Sequence, residues 1–206
     1  MVVTAIVLLV VEAFKYTVLG IKASLENDPE WWTVNLPLFL CSIQLFTIPL
    51  AAFAKGRVKE ASLDFVMIFG ILGAVLGTYA AAQNYNAYPV LSFNNVISGL
   101  THTIAGFASL YIMVSGMGSL KEKNIWITFA ILLGVCGLAF LANTWLDYNY
   151  MFLRAGDGTP YDILYNLVNG NPALYPLGVI GLFLLYIAAF YGVHHLVKRK
   201  KKAAKV

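Results

Sequence analysis

Cys41 and His102 are the two side chains in this sequence whose types and placement best suit a nucleophile and its base. Both fall inside long apolar stretches, where a polar group is costly and marks a functional candidate. The other histidines, His194 and His195, adjoin the run Lys198-Arg199-Lys200-Lys201-Lys202 and read as interfacial anchors. Cys136 has only apolar or small neighbours and reads as a filler. Burial raises a thiol's pKa, so a buried cysteine needs a neighbouring base before it can attack. A Cys–His pair in a water-poor pocket is the minimal equipment for nucleophilic acyl transfer. The imidazole takes the thiol proton and later returns one to the leaving group. An amide from Gln44 or Asn143 would orient the imidazole or donate to the oxyanion. Each residue also has a plainer reading: Cys41 as packing, His102 as a helix-to-helix hydrogen bond, and Glu12 with Lys15 as a structural ion pair.

The elements that carry these residues are membrane helices. Of 206 residues, 60% are hydrophobic and 12% charged, and mean hydropathy is +0.74. A soluble domain is about 45–50% apolar and about 25% charged, so an ordinary soluble protein is excluded. Two cysteines exclude a disulfide scaffold. A span needs about 20 mostly apolar residues. Six segments qualify, near 2–20, 35–54, 61–83, 95–117, 125–146 and 173–197. The fold expected is therefore all-α: a six-helix membrane bundle over 1–197 with a basic tail over 198–206. The first segment lacks a basic leader and a cleavage site, so it reads as a span and not a signal peptide. Gly70, Gly73 and Gly77 in the third segment read as a close-packing stripe.

Lys and Arg concentrate in alternate connections: Lys55, Arg57 and Lys59, then Lys121 and Lys123, then the tail. The other connections carry Glu26, Asp28 and Glu30, no charge over 84–94, and Asp147, Asp157 and Asp162. That asymmetry predicts a multi-pass cell-membrane protein with both termini cytoplasmic. Trp31 and Trp32 mark the external interface.

Measured from the external helix ends, Glu12, Cys41 and His102 all lie about 9–12 Å deep, with Asn143 near the end of the fifth helix. Lys15 is placed to pair with Glu12. Pro37, Cys41 and Gln44 are expected on one stripe of the second helix, and Asn95, Ser98 and His102 on one stripe of the fourth.

The stretch Leu36-Pro37-Leu38-Phe39-Leu40-Cys41-Ser42-Ile43 resembles the LPLHLCxx motif of YwaF-type bacterial integral membrane proteins. Asn143 to Leu153, with Asn149-Tyr150-Met151, resembles the same family's N-x5-NYM stretch, and Gly170-Asn171-Pro172 before Tyr175-Pro176 also fits. The resemblance spans nearly the whole chain. It implies a six- or seven-helix bundle, related to a eukaryotic branch of cysteine-dependent phospholipid acyltransferases. A more distant group of androgen-regulated membrane hydrolases pairs Thr with His. Carried over, Cys41 is the nucleophile and His102 the base, with Asn143, Asn149 and Tyr150 in the same site. Phe39 departs from the motif, which has His there.

The function expected is a lipid acyltransferase or acyl hydrolase at the outer leaflet, acting on phospholipid or another acyl lipid. Catalysis falls to Cys41 and His102, and the supporting pocket to Glu12, Lys15, Gln44, Ser98, Asn143, Asn149 and Tyr150. Two other classes remain: a small-molecule-binding subunit of a transporter, and a non-catalytic scaffold with a membrane-protein partner or a second copy of itself. No metal site, cofactor or nucleic-acid partner is expected.

Overall fold

A computed structural model describes residues 1–77 and 89–203, with 199–203 as backbone alone. The end of the third expected span and most of the 84–94 connection lie outside the described residues. Those described form helices and loops, with no strand: α1 (Val2–Glu26), α2 (Trp31–Asn35), α3 (Gln44–Phe53), α4 (Gly56–Val75), α5 (Phe93–Ser115), α6 (Glu122–Leu146), α7 (Tyr161–Leu167) and α8 (Leu174–Ala203).

Four of these, α1, α5, α6 and α8, are long and apolar enough to cross a membrane. Their large apolar side chains point outward in number, among them Val10, Phe14, Phe107, Trp126 and Leu185. In lipid such exposure carries no penalty, and helices associate through close packing and hydrogen bonds. Helix ends follow local chemistry. Asn27, Gly116 and Asp147 adopt left-handed backbone just past α1, α5 and α6, the conformation that ends helices. α1 runs past the expected stop at Gly20, and α8 continues helically through the basic run that was read as a separate tail.

The second expected span is the main correction. It is not one helix. Residues 36–43 form turns, and only Gln44–Phe53 is helical. Proline explains the break. The residue before it is pushed to extended backbone, and Leu36 has φ −58° and ψ 137°. Pro37 also lacks the N–H to continue α2. Irregular backbone is tolerated in a membrane protein where protein covers it, and here residues 36–42 are half-buried and Ile43 is buried.

α4 is the central helix. Every residue from Ala61 to Gly70 is buried, with α3, α5 and α6 packed around it. The α4–α5 crossing is close enough that a Cβ on Gly70 would meet the Ala105 carbonyl oxygen at 2.7 Å. Ser109 Oγ donates to the Met67 carbonyl across the same crossing at 2.6 Å.

One end of the bundle is locked by a carboxylate. Asp64 is fully buried. It accepts from the backbone N–H groups of Ser119 (2.8 Å) and Leu120 (3.0 Å), and from the Tyr191 hydroxyl (3.1 Å). α4, the α5–α6 connection and α8 are thereby tied at one point. Lys121 pairs with Glu60 at 2.6 Å beside it, and the hydrogen bonds from Lys121 and Asn124 hold the Glu60 carboxyl below its ordinary pKa. Arg57 donates to the Lys123 carbonyl at 2.5 Å. The two basic connections therefore meet at the same end.

Candidate functional site

Cys41 lies in the turn directly preceding α3, a position the proline break creates. Its thiol is half-buried, unbridged, and 3.9 Å from Ser42 Oγ. His102 sits on α5, one turn after Ser98. The Ser98 carbonyl lies 2.7 Å from His102 Nδ1, with Ser98 Oγ at 3.3 Å. A carbonyl oxygen can only accept, so Nδ1 carries the proton and the neutral ring presents a lone pair at Nε2. Nε2 is buried and has no hydrogen-bond partner. Cys41 lies against Gly73 and His102 against Gly77, four residues further along the same stretch.

Lys15 is also near enough for its charge to reach His102. It bonds Glu12 at 2.5 Å, and both side chains are largely buried, so the expected ion pair forms. Lys15 Nζ additionally sits 4.6 Å from the centre of the Tyr16 ring. Gln44, the first residue of α3, is 2% exposed. Its Oε1 accepts from Thr47 Oγ1 at 2.9 Å, while its Nε2 is a buried donor with no partner.

The sequence profile of the TMEM164 family matches residues 1–193 of this chain. The chain belongs to the TMEM164 family. TMEM164 proteins form a transmembrane family, in agreement with the four membrane-length helices. The match takes in every residue of the site and stops short of the basic run. No curated protein and no solved structure matches this TMEM164-family chain.

The remaining expected residues form a different cluster of the TMEM164-family chain. Asn143 does not orient His102. Its Nδ2 donates to the Tyr150 carbonyl at 3.1 Å and its Oδ1 accepts from the Tyr150 N–H at 2.6 Å, which occupies both ends of the amide. Asn149 is a loop hub: it donates to the Ala155 carbonyl and to Asp157, and accepts from the Arg154 N–H. Tyr150 is fully buried, and its hydroxyl donates to the Thr33 carbonyl. Asn95 likewise leaves the His102 stripe, donating to the Pro89 carbonyl at 3.1 Å. Polar spacing alone does not separate these loop locks from site residues, because an amide satisfied by its own backbone has the same sequence signature as a free one.

Phe39, two residues before Cys41, packs on this second cluster. Its ring lies 5.7 Å from Tyr150, 5.8 Å from Phe152 and 6.3 Å from Tyr148. An apolar residue at this position packs the 148–152 turn against the segment that carries Cys41. Met151 and Phe152 hold left-handed φ of 58° and 55° inside that turn, a strained arrangement that the Asn143 clamp stabilises. Removing the clamp with Asn143→Ala leaves the buried Tyr150 N–H unpaired and its carbonyl with the Leu153 N–H alone, at a cost of about 1–3 kcal/mol. The expected outcome is a lower unfolding temperature and faster protease cutting within 147–157. Unchanged cutting would remove the clamp's role.

Neither of the two most pronounced hollows borders Cys41 or His102. The larger, about 470 Å³, is an apolar groove between α6 and α8 lined by Leu133, Cys136, Phe140 and Leu177. Among the described residues no cluster of His, Cys, Asp and Glu has the composition of a metal site. Asp64 escaped the sequence reading. Its signal was a lone carboxylate a few residues inside an otherwise apolar span.

Proposed function

We propose that this chain is a membrane-embedded acyltransferase, or acyl hydrolase, that forms an acyl-thioester on Cys41. The observation that carries the reading is a half-buried His102 whose Nδ1 is held by a carbonyl and whose buried Nε2 is unpaired, packed on Gly77 four residues along from the glycine that meets the free cysteine Cys41. The resemblance of the Leu36–Ile43 segment to the LPLHLCxx motif of YwaF-type membrane proteins, whose eukaryotic branch looks like a cysteine-dependent acyltransferase, supports it. In the first half-reaction Nε2 takes the thiol proton and the sulfur attacks the ester carbonyl of an acyl lipid. The carbon–oxygen bond then breaks, and His102 returns the proton to the departing alcohol. In the second, an acceptor hydroxyl gives its proton to Nε2 and attacks the thioester, and the proton then restores the thiol. Water in place of the alcohol makes the same cycle a hydrolysis. Gln44 Nε2, a buried donor without a partner one turn after the nucleophile, is the oxyanion donor in this scheme.

The same reading places six crossings in the cell membrane, α3 with its preceding turns completing one and α4 another. Both termini are then cytoplasmic, because the basic connections share one end of the bundle. The lipid partner is a phospholipid or related acyl ester of the outer leaflet.

Intact-protein mass spectrometry after incubation with phospholipid vesicles tests the chemistry. Wild type is expected to gain a fatty-acyl mass that hydroxylamine removes. Cys41→Ser is expected to carry none, or an oxygen ester that resists hydroxylamine. An equal hydroxylamine-labile adduct on Cys41→Ser would overturn the assignment. No adduct on wild type, together with no turnover of the vesicle lipid, would do the same and favour the scaffold reading.

A further inference from the structure

We infer that Gly77 is a positioning residue for the base, and that the third-span glycines divide into three distinct roles instead of forming one packing stripe. The inference rests on the Cys–His reading and deepens it. Gly73 and Gly77 lie one turn apart on one side of the central helix region, about 6 Å along the axis. A Cβ built on Gly73 meets Cys41 Cβ at 3.5 Å, which is ordinary contact. A Cβ built on Gly77 would overlap the His102 imidazole at Nε2 and Cδ2 and would lie 2.9 Å from Cε1. The same backbone therefore gauges both groups: the nucleophile rests at one turn and the base at the next.

The ring is held at two points. Its Nδ1 is bonded to the Ser98 carbonyl on its own helix, and its opposite edge, at Nε2 and Cδ2, abuts Gly77, where a Cβ would overlap it. A methyl there cannot be absorbed by the ring moving back without stretching the 2.7 Å bond to Ser98. It must turn Nε2, the atom that takes the thiol proton. Gly70 differs. Its Cβ would strike the Ala105 carbonyl at 2.7 Å and Ser109 Cβ at 2.9 Å, so it serves the α4–α5 crossing and touches neither reacting group.

The test is the pH profile of Cys41 alkylation by iodoacetamide. It is read peptide by peptide by mass spectrometry on the full chain in lipid nanodiscs, so that Cys136 does not interfere. His102→Ala should move the inflection to higher pH and lower the rate at neutral pH about tenfold, the effect of losing a base beside a thiol. Gly77→Ala should reproduce that shift. Gly73→Ala should leave the profile in place, and Gly70→Ala should lower the unfolding temperature without moving the inflection. If Gly77→Ala keeps the wild-type profile while His102→Ala shifts it, the positioning role is wrong and the Cys–His reading stands. If His102→Ala also leaves the profile unchanged, the Cys–His reading itself fails. A Gly70→Ala shift equal to that of Gly77→Ala would reduce the effect to general packing. Should Gly77→Ala fail to fold, the double variant Gly77→Ala/His102→Ala decides. With the ring gone the methyl has room, so the double variant should fold as well as His102→Ala alone. A double variant as defective as Gly77→Ala would overturn the inference.

Discussion

His102→Gln should lower the rate of acyl transfer by about 10²–10⁴-fold while leaving the fold intact, the loss expected when a positioned general base is removed. Glutamine fills much of the ring's volume and can still bond near Ser98, but it has no atom that gains and loses a proton near neutral pH. The remaining rate should rise steeply with pH, because thiolate then forms only by ionisation to solvent. Ser98→Ala is the informative companion. The Nδ1 proton is directed mainly to the Ser98 carbonyl at 2.7 Å and only secondarily to its hydroxyl at 3.3 Å. Removal of the hydroxyl keeps the backbone acceptor, and the rate should fall by no more than about fivefold. The measurement is the time course of acyl-adduct formation across pH for the three proteins. A His102→Gln rate within about threefold of wild type would mean that no base acts at this position.

Asp64→Ala should be the most destabilising single change at the other end of the bundle, at about 3–5 kcal/mol. The carboxylate is fully buried and its oxygens meet the N–H groups of Ser119 and Leu120, the Tyr191 hydroxyl and the Asn124 amide. Deleting it strands the Ser119 and Leu120 N–H groups, while Tyr191 keeps Thr128 and Asn124 keeps Glu60 and Ser119. Leu120 also holds a left-handed φ of 40°, a backbone the Asp64 contact helps to maintain. By contrast Lys121→Ala removes an exposed partner of Glu60 and should cost no more than about 1 kcal/mol. Thermal unfolding of the two variants in the same detergent gives the comparison. Equal transitions would show that the buried carboxylate is not a clamp.

The existence and placement of α1, α5, α6 and α8 were legible in the sequence, because in a membrane the requirement for about 20 apolar residues is local to each segment. The pairing of Glu12 with Lys15 was legible for the same reason: three residues along a helix bring two side chains to one face. The basic character of two connections was legible, and the structure brings them to one end through Arg57 and Lys121.

The second segment shows where that logic stops. Its composition reads as a helix, yet Pro37 and the cover given by surrounding protein turn 36–43 into irregular backbone, and this sets Cys41 in a turn before α3. Asn143 and Gln44 look alike as buried amides in apolar surroundings. One is saturated by the Tyr150 backbone, and the other keeps a free donor. Gly70, Gly73 and Gly77 follow one another at spacings of three and four, but a Cβ on each would meet a carbonyl, a cysteine and an imidazole respectively. The sequence by itself determined that this protein is a bundle of membrane helices with a thiol and an imidazole among their buried polar groups, since hydropathy and charge act residue by residue. The tertiary structure alone decided which polar atoms are spent on the backbone and which stay free, since hydrogen-bond partners and close approaches belong to segments far apart in the chain.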